Sequence, residues 1–419
     1  VLQPPKPKIR RATKAHIAVL LALLAIVKAG DYWVTRYELT TERRGFVQGA
    51  TYSVVNAQLP AVVLLALIAL LVAALFLSTL KTDSWRLPLV ASALWAVVAL
   101  VGGVIYPAAI QALVVNPNQK DREAVYIERN ITATRQALDI EDVDEAPIAF
   151  NTLTAGELTD DLAPLQNVRL LNPGQLVERF RADQGQRAGL TIRDLDIDRY
   201  EIDGREQQVM VAARELELTT IANKSWQGRH LISTHGCGLV LAPVNRVNTN
   251  GRPDYQPVDL TRPELYFSEG LSGYSIVGTT VSQELCPGQT DDTTYEGGGI
   301  ALDSVFKRMA FALNFLDYNL LGSSAITDES RILWIRNVRE RVEKVAPFLA
   351  FDGDPYPVEV DGGVVWVVDG YTTSARYPYA QNANTTQLTG ATGLNFEFNY
   401  IRASVKAVVN AYDGSMQFY

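Results

Sequence analysis

Imidazole and thiol are scarce in this sequence, with three His, two Cys and three Met among 419 residues. His230 and His235 are the only imidazoles beyond the first hydrophobic segment, so a metal in that region would need Cys237 or carboxylates to complete its shell. A two-ligand pair on a helix sits at i, i+4. These two are five apart, and along a strand they point to opposite faces. They read as structural, hydrogen-bonding histidines. No Gly-x-Ser-x-Gly elbow accompanies them. A triad is set by geometry rather than spacing, so an envelope hydrolase centred on His235, with Cys237, a serine or a carboxylate, stays as an alternative. Gly297-Gly298-Gly299 lacks the Lys-Ser/Thr that follows a phosphate loop. Asp352, Asp354, Asp361 and Asp369 miss the spacing of a calcium loop and read as turn residues. No catalytic, cofactor-binding or metal residue is assigned, and no cofactor is expected.

Basic charge is missing where nucleic acid would need it. Residues 1–115 hold 11 Lys+Arg against 4 Asp+Glu, whereas residues 116–419 hold 27 against 42. The second part is acidic and repels polyphosphate, which argues against a nucleic-acid partner. Such asymmetry describes two parts solvated by different media.

Long uncharged runs fill the first part. Residues 59–80 contain no charge and are dense in Leu, Ala and Val. At about 1.5 Å per residue they reach roughly 33 Å, enough to cross a hydrocarbon core of about 30 Å. Residues 87–106 form a second such run, in which Gly102-Gly103 would admit a neighbouring helix. Pro107 favours a kink on leaving the bilayer, with a short connecting helix to follow. The first segment is shorter: residues 15–27 are uncharged, and a span over 16–34 takes in Lys28 and Asp31. These lie three apart on one helical face and can pair. Tyr32-Trp33 then falls where an aromatic belt belongs. A signal peptide or an interfacial helix is the competing reading, although no small-x-small cleavage site follows the cationic start.

Three spans place residues 6–14 and 81–86 on one side, with seven Lys+Arg. The loop 35–58 on the other side carries Arg36, Arg43 and Arg44. The positive-inside rule makes the richer side cytoplasmic and puts the acidic region outside. Cys237 and Cys286 are then a possible disulfide closing a loop of about 50 residues in an oxidising compartment, or else two unrelated buried thiols.

Residues 116–145 read as a helix leaving the membrane plus an acidic linker, and 146–419 as an α+β domain. Leu176, Val177 and Phe180 form a short apolar stripe. Asp203-Gly204 and Asp361-Gly362 mark hairpins. Short apolar runs at 239–241, 274–277 and 364–368 read as buried strands. Leu302, Val305, Phe306, Met309, Leu313, Leu316 and Leu320 recur at spacings of three and four, as on a core-packing helix. A second helix is expected from an N-cap at Thr327, with Ile332, Ile335, Val338, Val342 and Val345 on its apolar face. Arg336, Arg339, Arg341 and Lys344 make its basic face, which offers membrane-surface docking as an alternative role. Residues 381–393 are a polar loop.

Many peptides of this chain resemble one family. They include the stretch from Arg36-Tyr37 through Gly49-Ala50, Ile105-Tyr106-Pro107, Tyr126-Ile127-Glu128-Arg129-Asn130-Ile131, Thr234-His235-Gly236, Pro243-Val244-Asn245-Arg246-Val247 and Thr261-Arg262-Pro263-Glu264-Leu265-Tyr266-Phe267. Ser330-Arg331-Ile332-Leu333, Ala346-Pro347-Phe348-Leu349, Asp369-Gly370-Tyr371-Thr372-Thr373-Ser374, Arg376-Tyr377-Pro378-Tyr379 and Asn399-Tyr400-Ile401-Arg402 follow in order. Together they resemble UPF0182, an uncharacterised bacterial multi-pass membrane family, over nearly the whole chain. The resemblance implies a membrane protein, further spans before this sequence starts and an acidic tail after it stops. It carries over no residue role.

The fold class expected is therefore an α-helical transmembrane stem of three spans (1–115) plus a large α+β extracytoplasmic domain, in a bacterial cell membrane. The function expected is a scaffold or assembly partner of a cell-envelope complex. Its partners would be the lipid bilayer and other membrane or envelope proteins, including a second copy of the chain. The first alternative is a transport-related protein handling a lipid or envelope molecule, which a continuous apolar groove would favour.

Overall fold

The computed structural model describes residues 11–45, 47–82, 84–147, 156, 167–185, 188–202, 204–286, 289, 294–385 and 393–419. Expected features at Lys6, Lys8, Arg10 and Asp203, and most of residues 151–166 and 386–392, lie outside these. The chain divides into two units. One comprises Val1–Glu145, Thr373–Asn384 and Phe396–Arg402, and the other comprises Ala146–Thr372, Thr385–Asn395 and Ala403–Tyr419.

In the first unit three helices are long and apolar enough to cross a membrane: Arg11–Glu38, Val54–Thr82 and Arg86–Ala137. The first exceeds its expected span at both ends, and Lys28 and Asp31 pair on its surface. Ala18, Ala22, Ala25 and Ala29 form its buried stripe. Their small side chains let Val72, Ala73 and Phe76 of the second helix pack closely against Ala22 and Ala25. Leu20, Leu23, Leu24, Leu64, Leu67 and Leu71 point outward. Helix Leu59–Thr82 also passes Gly102 and Gly103, where an added Cβ would meet Ala61 at 3.6 Å and Leu65 at 3.9 Å.

Wide helical turns flank Pro107 on both sides. Helix Arg86–Leu100 runs on through the wide turn Val101–Ile105, helix Tyr106–Ile110 and a second wide turn, Gln111–Val115. Turns of the i→i+5 type, like proline itself, are places where a helix axis can bend. A small hairpin pairs Arg43 with Gln48 and Arg44 with Val47. Helix Gln119–Ala137 carries Asn130, whose amide donates to Gln48 O at 3.2 Å and Tyr379 O at 2.6 Å. Arg402 donates to Ala137 O at the end of that helix.

The second unit is built of antiparallel sheets. Asp196–Ile202 and Arg205–Ala213 form the first expected hairpin, and Leu239–Pro243 extends it, with Ala213 opposite Leu239. Met210, Ala212, Val240 and Ala242 face Phe180 and Ile192. Phe180 comes from helix Pro173–Gln184, which starts at the Asn172 cap and places Leu176 and Val177 on the same core. Ser275–Val277, Arg331–Leu333 and Ile300–Ala301 make a second sheet. A third, five-stranded sheet contains the hairpin Tyr356–Val360 and Gly363–Ser374. Its turn holds Asp361 and Gly362, both at positive φ (52° and 73°), as an Asp-Gly hairpin turn requires.

Two expectations fail here. The helix expected from Thr327 is instead a strand, Arg331–Leu333, followed by a short helix, Val338–Val345, capped by Asn337. Strand pairing on both sides of Ile332 overrides its helical spacing. The basic face expected there does not form. Arg336 is 1% exposed and donates to Tyr266 O at 2.8 Å, to Ser275 Oγ at 2.6 Å and to Thr234 O. Arg339 pairs with Glu343, and Arg341 donates to Gly414 O. Membrane docking through this face is thereby withdrawn.

Arg336→Ala leaves buried acceptors unpaired beside a void. It should destabilise the fold by about 3–5 kcal/mol, the range for stripping a partner from a buried charged site. Thermal unfolding of the purified protein in mild detergent checks this.

Candidate functional site

The segment around His230 and His235 is not the strand that the sequence suggests. Gly228–Ile232 is a wide helical turn, and only Gly236–Cys237 is extended, paired with Glu264–Leu265. The two histidines have separate partners. His230 stacks on Tyr274 at 4.2 Å, and its Nδ1 meets Tyr274 O at 2.9 Å. Trp226 Nε1 and Tyr274 Oη both donate to Asp317 beside it. His235 is buried, its Nδ1 lying 2.9 Å from Gly236 O and its ring edge-on to Tyr266. Burial pushes its pKa down, so the neutral ring is favoured.

Cys237 and Cys286 are joined by a disulfide, with Cα atoms 5.4 Å apart. His235 Nδ1 sits 3.8 Å from both sulfurs. Bonded to each other, these sulfurs offer neither a thiolate nucleophile nor two thiolate ligands, although the three residues lie close enough to share an ion. The hydrolase alternative therefore has no sulfur nucleophile at His235.

A second cluster escapes sequence reading. Asp196 opens the strand Asp196–Ile202 with Asp194 two residues before it, and Asp354, just before strand Tyr356–Val360, joins them. Ligand oxygens of the three lie within 4.8 Å of one another. Glu269 and the buried Glu215 add to the negative field, and Arg193 answers part of it, 3.6 Å from Glu215. Asp196 Oδ2 is buried without a hydrogen-bond partner. Burial first, then the charges of Asp194, Asp354 and Asp198, push Asp196 up to about 8. Burial and neighbouring carboxylates likewise raise Asp194 and Glu269. Such a group can hold protons near neutral pH, and its hard oxygens are of the kind that divalent cations accept. The only local signal was the Asp-x-Asp spacing. Asp354 stands in the turn expected of it, with its N–H donating to Asp352.

Two further features bear on function. Within the first unit, a cavity of about 480 Å³ is lined by Arg44, Val47, Ser53, Pro107, Gln111 and Glu123, among others. Within the second, helix Val305–Phe315 buries Phe311 and Ala312 but exposes Val305, Phe306, Met309 and Leu313, with Leu316 exposed just beyond its end. Of the stripe expected to pack into the core, Leu302 and Leu320 do so, whereas the five residues between them face outward.

An N-terminal helical stem able to cross a membrane, followed by a mixed helix-and-strand region, defines the class of protein. The chain belongs to the Uncharacterised protein family (UPF0182), whose model matches residues 2–419. It is 42% identical over 445 residues to a UPF0182 protein of Kineococcus radiotolerans, covering 99% of this chain and 44% of that one. A UPF0182 protein of Frankia alni is 40% identical over 452 residues (100% and 44%). One of Kocuria rhizophila is 39% identical over 440 residues (98% and 45%). The chain thus spans less than half the length of the curated relatives it matches. No solved structure matches it.

The acidic cluster has a measurable consequence. A carboxyl whose folded pKa lies above its unfolded value, about 3.9 for Asp, makes folding less favourable as pH rises between the two. With Asp196 at about 8, stability should fall from pH 4 toward pH 8. Asp196→Asn should flatten that fall and raise the unfolding midpoint at pH 8 by roughly 2–4 °C, the shift for about 1 kcal/mol in a domain of this size. Thermal unfolding of both proteins at a series of pH values checks this.

Proposed function

We propose that this chain is the membrane-anchored scaffold of a cell-envelope assembly, with residues 146–419 on the extracytoplasmic side. The observation that carries the reading is the outward apolar face of helix Val305–Phe315. Phe306 is 78% exposed, Leu313 68% and Leu316 89%. Burying a side chain of this kind is worth about 1.5–3 kcal/mol, so three leave a large gain uncollected until another surface covers them. Leu316 also holds a left-handed conformation, φ 53°. Glycine or asparagine relieves that strain more readily than a branched side chain. An exposed leucine there serves neither backbone comfort nor solubility, which points to a contact outside the chain.

Three observations support the orientation. The stem contains three membrane-competent helices. The greater share of cations lies at 6–14 and 81–86. The disulfide suits an oxidising compartment.

A second reading, handling of a lipid, is favoured by the cavity in the stem unit. Apolar walls and a few polar groups make it amphipathic.

Phe306→Ser with Leu313→Ser should strip co-purifying envelope chains, or a second copy, from the protein in mild detergent while its unfolding midpoint stays within about 2 °C, as for other surface changes. Unchanged co-purification would sink the scaffold reading. For the orientation, a phosphatase reporter fused behind Asn116 should be active in cells, and Cys237–Cys286 should resist thiol labelling until reduced. A reporter active only in the cytosol would reverse the topology.

A further inference from the structure

The cavity of the stem unit has a charge pattern that the lipid-handling reading leaves unused. It lies beside Gln58, directly before helix Leu59–Thr82, and beside Pro107 and Ala108, directly after the apolar run of the third helix. Helices that cross a bilayer over those runs hold the cavity at the depth of lipid headgroups.

Its walls carry opposite charges that do not meet. Glu123 is 6% exposed, and its two oxygens share the N–H of Tyr52 at 3.3 and 3.2 Å. Among the described residues no cation lies within ion-pair distance of this carboxylate. A buried carboxylate met by one shared amide is under-compensated, and a cationic group would restore what water no longer supplies. Arg44 also lines the cavity. It gives one guanidinium nitrogen to the exposed Glu42, while its Nε is buried with no hydrogen-bond partner. The fork of a guanidinium matches a phosphate. Val47, Pro107, Ala108 and Ile127 supply apolar wall between the polar groups, whereas Ser53 and Gln111 are already bonded to each other at 2.8 Å.

We infer that this cavity binds the headgroup of an aminophospholipid, its ammonium on Glu123 and its phosphate on Arg44, with the first carbons of its acyl chains along Pro107 and Ile127. The inference rests on the lipid-handling reading and sharpens it. An anionic lipid lacks the group that Glu123 needs. A quaternary ammonium lacks the N–H donors that a carboxylate best accepts.

The test uses the whole chain in nanodiscs, with acyl-labelled phosphatidylethanolamine, phosphatidylcholine and phosphatidylglycerol as probes. Phosphatidylethanolamine should bind about tenfold more tightly than the other two, as one charge-assisted hydrogen bond allows. Glu123→Gln should erase that preference, and Arg44→Gln should weaken all three. A comparison of phosphatidylethanolamine with its N-acetyl derivative on the unaltered protein reads the same interaction without a variant, should Glu123→Gln fail to fold. Equal binding of the two overturns the inference. Equal binding of soluble phosphoethanolamine and the lipid overturns it too, since the ligand is then not a membrane lipid. Binding without headgroup preference refutes the inference alone; no binding of any lipid refutes the lipid-handling reading with it.

Discussion

A guanidinium taken out of water must replace the hydration it loses, and Arg336 does so with neutral oxygens. Its hydrogen bonds go to Tyr266 O, Ser275 Oγ and Thr234 O. Burial lowers its pKa to about 10, still far above neutrality, so the charge is kept. Holding a charge on such acceptors demands that all of them be fixed, and the surrounding chain meets that demand. Ser268 N–H donates to the backbone carbonyl of Arg336, and Val338 N–H donates back to Ser268 O. Phe267 N–H reaches Ala411 O, while Trp366 Nε1 donates to Phe267 O, which ties the same segment to the five-stranded sheet. Thr234 precedes His235, so the disulfide and its imidazole take their place from the same centre. Satisfaction of a buried ion thus ties the Thr234, Tyr266 and Ser275 segments to one centre.

The sequence displays whatever depends on near neighbours. Uncharged runs and the Asp361-Gly362 turn are local, and each is found where the residues place it. Spacing of three and four identified a helix at Val305–Phe315, yet it does not say which side meets the core. The inward face is made by Phe311 and Ala312, against Leu302 before the helix and Leu320 of the short helix Asn319–Gly322 after it. Ile332 to Val345 shows the other limit. Its spacing suits a helix, but Ser275–Val277 and Ile300–Ala301 bracket Arg331–Leu333 as a strand, a pairing invisible to any short window. Arg336 was read as surface because it stands among Arg339, Arg341 and Lys344. Its burial is decided by oxygens some 60 to 100 positions away in sequence.

The candidate sites divide in the same way. Cys237 and Cys286 stood out by rarity alone, since there were no other thiols to choose from. The carboxylates of Asp194, Asp196 and Asp354 are ordinary until the fold assembles them, and Asp and Glu are too common for composition to signal it. Glu123 stands in the first turns of the helix expected to leave the membrane, and its neighbours in sequence do not mark it for burial. Its burial comes with the N–H of Tyr52, far away in sequence, which both carboxylate oxygens share.

Scaffolding and lipid handling draw on different surfaces, and neither requires the other. The apolar stripe at Phe306 and Leu313 offers area without polar anchors, which suits a broad contact with another folded surface, because a small ligand gains specificity from placed polar groups that the stripe lacks. The cavity at Arg44 and Glu123 is the reverse: little area, with a carboxylate that meets no cation among the described residues and a guanidinium whose Nε is unpaired, set in apolar walls. An assembly partner covering the stripe would gain mainly from removing leucine and phenylalanine from water. A lipid entering the cavity would gain mainly from ending the isolation of a carboxylate. The first gain weakens on cooling, as apolar burial does, while the second depends on the protonation of Glu123 and of the ligand amine. Temperature and pH therefore separate the two roles within a single protein.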